Sequence, residues 1–165
     1  MPTTAEIRDR IIAVMQAVEE IGQVQPYPRW SKRDATLKRH YAYRGQIRGW
    51  HITRVGFRET NQVGGLRTII TRWRIVGYLS ISDEQETERL FEELLDRVCD
   101  VFRQEQYLNG IEAESWVGDA AGVQGENIGP VLFAGVLCHS AQLGLDTVHF
   151  IEGPGEIRPE DLIAG

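Results

Sequence analysis

The sequence predicts an α+β fold: a mainly antiparallel sheet packed against two amphipathic helices, with a long basic arm. Three observations carry this. Apolar residues recur at helical spacing in two separate stretches, and β-branched and aromatic residues gather in two others divided by Gly64-Gly65. The order of stretches is helix, hairpin, helix, strands, without the regular strand–helix alternation of a doubly wound sheet.

Thr3 and Glu6 stand at capping-box spacing, and Ile7, Ile11, Met15, Val18 and Ile21 follow at helical intervals, which predicts a first helix reaching about residue 22. Residues 23–46 carry Pro26 and Pro28 among many cations and read as an extended arm with at most a short helix near 34–39. Strands are expected over 47–58 and 66–81, joined as a hairpin. On the second of these, Ile69, Thr71, Trp73, Ile75, Leu79 and Ile81 share a core face, while Thr68, Arg72, Arg74, Tyr78 and Ser80 share a wet one.

Ser82 and Gln85 repeat the capping-box spacing ahead of an apolar stripe, Phe91, Leu94, Leu95, Val98, Val101 and Phe102, set beside an acidic outer face. Asn109-Gly110 is a suitable C-cap for this second helix. A strand is expected over 111–117, a flexible loop rich in Gly and acids over 118–129, and the last strands over 131–142 and 147–151. Residues 1–152 then form a single domain and 153–165 a flexible C-terminal tail.

The chain has 165 residues, 42% of them hydrophobic and 25% charged, ordinary values that argue against disordered, collagen-like and coiled-coil classes. It contains no apolar run near the ~18 residues of a membrane span and opens on a polar, acid-containing segment, so a soluble, unsecreted protein without membrane contact is expected. The two cysteines, Cys99 and Cys138, have apolar neighbours and are expected as buried free thiols in a reducing compartment.

The net charge of −6 conceals a division between the two halves of the chain. Residues 1–80 hold fourteen Lys/Arg against six Asp/Glu, a net +8, and residues 81–165 hold four against eighteen, a net −14. Such halves either pair internally or give the molecule a positive and a negative side, and the second arrangement favours head-to-tail association.

No constellation for chemistry emerges. The glycines at 118, 122, 125 and 129 match neither a phosphate-binding loop nor a dinucleotide fingerprint. Cys138 and His139 adjoin on a strand, where successive side chains point to opposite faces, so they do not serve one site. His51 and His149 also lie on expected strands, without zinc-ligand spacing. The acidic helix face reads as solvated, and Ser80, Ser82 and Ser140 lie outside any nucleophile-elbow pattern. No catalytic residue, cofactor or metal is therefore expected. One segment stands out: over residues 27–50, Arg29, Lys32, Arg33, Lys38, Arg39, Arg44 and Arg48 interleave with Tyr27, Trp30, Tyr41, Tyr43 and Trp50. Cations attract phosphate and aromatic faces stack on bases, so a nucleic-acid-binding module is one alternative. Charge neutralisation within or between subunits is the other.

The opening helix, the stretch RTIITRWRIVGYLSISDEQETERLFEELLDRVCDVF from Arg67, and the closing GPVLFAGVLCHSAQLGLDTVHFIE together resemble the tail terminator, or tail-completion, proteins of long-tailed bacteriophages and related tail-like particles. The resemblance spans about residues 5–152. It implies a small α+β virion subunit, assembled in the host cytoplasm, that forms a six-fold ring on the tail tube, stops its polymerisation and joins tail to head. Its implied partners are copies of itself, the tail tube protein and head–tail connector or neck proteins, with DNA passing through the lumen without sequence-specific contact. Another connector, neck or tube protein is the nearest alternative. The family has no catalytic signature to carry over, and the basic arm has no counterpart in its pattern. The residues expected at an assembly interface, from charge alone, are Arg72, Arg74, Arg44 and Arg48 on the basic side and Glu88 and Glu92 on the acidic helix.

Overall fold

The computed structural model describes residues 2–61, 65–105, 108, 115–117 and 122–153. Its elements are α1 (Thr4–Gln16), β1 (Gln23–Gln25), α2 (Asp34–His40), β2 (Ala42–Tyr43), β3 (Gln46–Asn61), β4 (Leu66–Ser80), α3 (Thr87–Gln104), β5 (Ser115–Val117), β6 (Gln124–Phe133) and β7 (Val136–Glu152). The class is α+β. The sheet is ordered β1-β3-β4-β7-β5, with β2 on β3 and β6 on β7, and every pairing is antiparallel except β1 with β3.

One core unites one face of the sheet with two helices. Ile7, Ile11, Val14 and Met15 of α1 and Phe91, Leu94, Leu95, Val98 and Phe102 of α3 pack on Trp50, Ile52, Trp73, Ile75, Leu79, Ala141, Leu143 and Leu145. The expected inward face of β4 is buried from Ile69 to Leu79, and along β7 the odd positions 141–149 are buried while the even ones are half-buried. The indole N–H groups find acceptors inside this core: Trp50 Nε1 donates to the Ile21 carbonyl at 2.8 Å and Trp73 Nε1 to Thr147 Oγ1 at 2.8 Å.

The capping box at Thr3 and Glu6 forms as read, with both reciprocal hydrogen bonds. The helix it opens stops at Gln16, short of residue 22, yet Val18 and Ile21 still enter the core through the following turns. The second capping box does not form. α3 begins at Thr87, its N-cap is Glu86 at φ 49°, and no side chain caps it. Thr87 is the reason: its Oγ1 accepts from Ser82 N at 2.9 Å, donates to Ser82 O at 3.1 Å and lies 2.8 Å from His139 Nε2, so the turn over 82–86 is closed by the first helical residue.

The segment expected as an extended arm is folded back on the sheet. β1 pairs with Gly49–His51, Arg8 Nη1 donates to Pro26 O at 2.6 Å, and Gln25 Nε2 donates to His40 O at 2.6 Å. α2 is the short helix anticipated near 34–39. With Leu37 of α2, Tyr41 and Ile47 join Cys138, Tyr78, Phe133 and Val136 in a second, smaller cluster on the opposite face of the sheet. That face is therefore wet only in part.

The C-terminal strands differ most from expectation. Residues 131–142 are not one strand but two, turned at Ala134-Gly135, where both residues have positive φ (50° and 74°). This is the two-residue hairpin geometry that matches strand twist. Within the loop expected over 118–129, residues 124–129 belong to β6 and carry a register shift between Glu126 and Gly129, while 118–121 lie outside the described residues. β6 escapes a pattern-based reading because most of its residues are exposed on both faces, leaving no apolar alternation to find. β7 then runs unbroken through both of the expected last strands. The Asn109-Gly110 cap and residues 154–165 of the tail lie outside the described residues; Gly153 N donates to Gly65 O at 2.6 Å.

Candidate assembly surface

Sheet order separates the strands of the two halves. Most of the anionic half's described carboxylates, by contrast, lie on α3 and the turn before it, in the helical layer, and α2 of the cationic half packs beside the Ala134-Gly135 turn. β1 to β4, from the cationic half, form one side of the sheet, and β5 to β7, from the anionic half, form the other, with the β4–β7 pairing as the seam. Internal neutralisation would place ion pairs across that seam. Among the described residues a single one does so, Arg72 to Asp146 at 3.8 Å, with both side chains partly in solvent. The others stay within a half: Arg44–Glu20 and Arg67–Glu59 on the cationic side, and Glu86–Arg89, Glu93–Arg97 and Asp100–Arg103 along α3. Exposed pairs of this kind add little to stability, because water screens both charges.

The six interface candidates separate on this frame. Arg72 is exposed and Arg74 half-buried on the face of β4 opposite α1 and α3. Arg44 is exposed in the β2–β3 turn and binds Glu20 Oε1 at 2.6 Å, which raises its pKa. Arg48 is buried, 7% exposed, donates to the Glu20 carbonyl at 3.1 Å and lies over the Tyr43 ring. Its side chain serves the fold and offers little to a partner. Glu88 and Glu92 are exposed on α3, in the helical layer. The structure therefore brings none of the cationic candidates beside the acidic ones within one chain.

Burial decides the state of the groups that sequence reading left open. His51 lies beside Tyr41, with Nδ1 3.2 Å from the phenol oxygen, and burial pushes its pKa down to about 4. His149 is 3% exposed, and burial together with Arg54 lowers its pKa. Cys138 and His139 do face apart: Cys138 sits in the smaller cluster, its thiol pushed up to about 11 by burial, and His139 stacks on Phe91 beneath α3. Cys99 is half-buried, not fully buried, and both thiols are free. Among the described residues no three His, Cys, Asp or Glu side chains gather as metal ligands would, and no helix is long and apolar enough to cross a membrane.

The basic and aromatic interleaving of residues 27–50 is partly dissolved by folding. Tyr41 and Trp50 are each 1% exposed, and the Tyr43 ring lies under Arg44 and Arg48. Trp30 alone is almost fully exposed, at 88%, next to the exposed Lys32 and Arg33.

What sequence reasoning missed was the exposed apolar set at the two lateral borders of the sheet: Val55 and Phe57 on β3, and Ile128, Val131, Leu132 and Leu137 at β6 and β7. Edge position, which produces them, has no local signature. No protein-family model matches this chain, and no curated protein matches its sequence.

Proposed function

We propose that this chain is a structural virion subunit that forms a ring on a phage tail tube, ends tube polymerisation and supplies the surface that joins tail to head. The observation that carries the reading is the division of the sheet: β3 and β4 carry six arginines against Glu59, while β6 and β7 carry Glu126, Asp146 and Glu152 and no Lys or Arg, with the exposed acidic helix α3 packed above. A molecule of this kind satisfies its charge by docking its positive side on the negative side of a copy. Such heterologous contacts close into rings when the rotation between copies allows it. The resemblance of the segment pattern to tail terminators assigns the ring its place. The partners are then further copies, the tube protein and a connector or neck protein, with DNA crossing the lumen without sequence readout. The exposed cations of the basic segment, Lys32, Arg33, Lys38 and Arg39, remain available to the tube or connector.

The test is to add the purified protein to tail tube subunits of the same particle during polymerisation and to image the tubes. Short tubes ending in a ring are expected; tubes that grow to the same length with bare ends would refute the assignment. A nucleic-acid-binding module is the second reading, favoured by the exposure of Trp30 beside cations. It predicts binding of single-stranded or duplex DNA that weakens steeply with salt.

A further inference from the structure

The sheet ends laterally in two borders that differ in charge and share one property, exposed apolar side chains. On the cationic side, β1 and β2 cover the outer edge of β3 at Gly49–His51 and Gln46–Ile47, and from residue 52 to 60 no described strand lies beyond it. Val55, unpaired at the register shift between Arg54 and Gly56, and Phe57 lie on this stretch, 44% and 61% exposed, with the Arg54 guanidinium 4.2 Å over the Phe57 ring and Arg58 exposed alongside. On the anionic side, Leu132 and Leu137 are direct cross-strand partners, 75% and 54% exposed, with Ile128 nearby on β6 at 63%. The Leu137 carbonyl accepts from Ile81 N at 3.0 Å, which sets the acidic turn of Asp83, Glu84 and Glu86 next to this patch.

We infer that these borders are the two halves of one contact: the Val55/Phe57 border of one copy docks on the Leu132/Leu137 border of the next. The occupant is a second copy because the patches complement each other on the helical side of the sheet. Arg54 lies over Phe57 at one and the acidic turn of Asp83, Glu84 and Glu86 lies beside Leu137 at the other, while α2 packs on the opposite face of the same hairpin. The two patches lie at opposite ends of one sheet, so the contact is heterologous and every copy uses both. Side chains make it, not a continuous strand ladder. Pro130 has no N–H, and the shift between Glu126 and Gly129 interrupts the outer edge of β6. The inference deepens the ring-forming reading and rests on it for its direction, while committing to a surface the reading leaves open.

The experiment is sedimentation velocity of the full chain as wild type, Leu132→Lys and Phe57→Glu, each of which sets a charge against like charges on the opposing border, with circular dichroism to verify folding. Both side chains are mostly in solvent, so both variants are expected to fold. Each substitution alone is expected to weaken self-association at least about tenfold, as loss of a central apolar anchor does. Mixing the two variants gives the decisive result, because each retains the border the other lacks: a 1:1 dimer and nothing larger is expected. Wild-type assembly that both variants reproduce unchanged would overturn this contact and leave the ring-forming reading standing. A wild type that stays monomeric up to millimolar concentration, at low salt and in the presence of tube, overturns both.

Discussion

Trp50 and Gly77 are directly opposed on β3 and β4, and the indole lies across the glycine so closely that a Cβ added to Gly77 would stand 2.3, 2.5 and 2.7 Å from three ring carbons. Gly77→Ala therefore requires the ring to retreat by roughly 1 Å to reach ordinary contact distance. The ring has no slack for this. Its Nε1 donates to Ile21 O at 2.8 Å, and its other face stacks on Phe91 with centroids 6.1 Å apart. Overpacking a core by one methyl costs about 1–3 kcal/mol, and stretching a buried indole hydrogen bond adds about 1 kcal/mol. The reduced entropy of the unfolded chain returns about 0.4–1 kcal/mol. The net expectation is a loss of about 1.5–3 kcal/mol, or about 4–10 °C in Tm for a chain of this size. Urea unfolding followed by tryptophan fluorescence and far-ultraviolet circular dichroism reads it. Gly56→Ala is the control, since no atom lies within 4 Å of its added Cβ. If Gly77→Ala falls within about 0.5 kcal/mol of the wild type while Gly56→Ala does the same, the close packing that ties Ile21, and with it the basic segment, to the sheet is wrong.

The pH dependence follows from His51. Burial holds its pKa at about 4 against an ordinary 6.5, so as pH falls the unfolded chain takes the proton first. Its contribution is complete above about pH 6.5 and is lost as pH falls toward about 4, by about 1–3 kcal/mol after allowance for partial exposure; His51→Gln should flatten that part of the stability profile, and an unchanged profile would refute the assignment. Thr147→Val leaves the buried Trp73 N–H without its acceptor and should cost about 1–3 kcal/mol in denaturant unfolding, whereas Thr53→Val on the half-buried opposite face should cost less than about 0.5 kcal/mol. Iodoacetamide at pH 8 should modify Cys99 well before Cys138, which is buried with its thiol pushed up to about 11; mass spectrometry showing equal labelling of the folded protein would contradict the second cluster.

The candidate surface was legible in the sequence to the extent that it is made of charge. Counting Lys, Arg, Asp and Glu by halves needs no structure, and the fold set the strands of the two halves on opposite sides of the sheet with most of the described acids on α3. Choosing among individual charges was beyond it. Arg44 and Arg48 look alike in the sequence, yet one is exposed in a turn and the other is buried over the Tyr43 ring against the Glu20 carbonyl. The apolar border residues were harder still, because Leu132 in an edge strand and Leu143 in a covered one carry the same local signal.

By itself the sequence determined the elements whose cause is local or periodic. These are the Thr3–Glu6 cap, the inward faces of α1 and α3, the β3–β4 hairpin, the inward face of β4 and the opposed directions of Cys138 and His139. In each, the burial of one face imposes a spacing that the residues display. Tertiary structure alone decided where long-range contacts overrule local pattern. Thr87, reaching Ser82 and His139, moved the start of α3 past the second capping box. Ala134, in a left-handed conformation usually taken by Asn, Asp or Gly, turned one expected strand into two. Pairing with β3 drew a proline-interrupted basic segment, which local rules read as an arm, onto the sheet. The seam between β4 and β7, which gives the molecule its two sides, joins residues some seventy positions apart on average, and no window on the sequence is that wide.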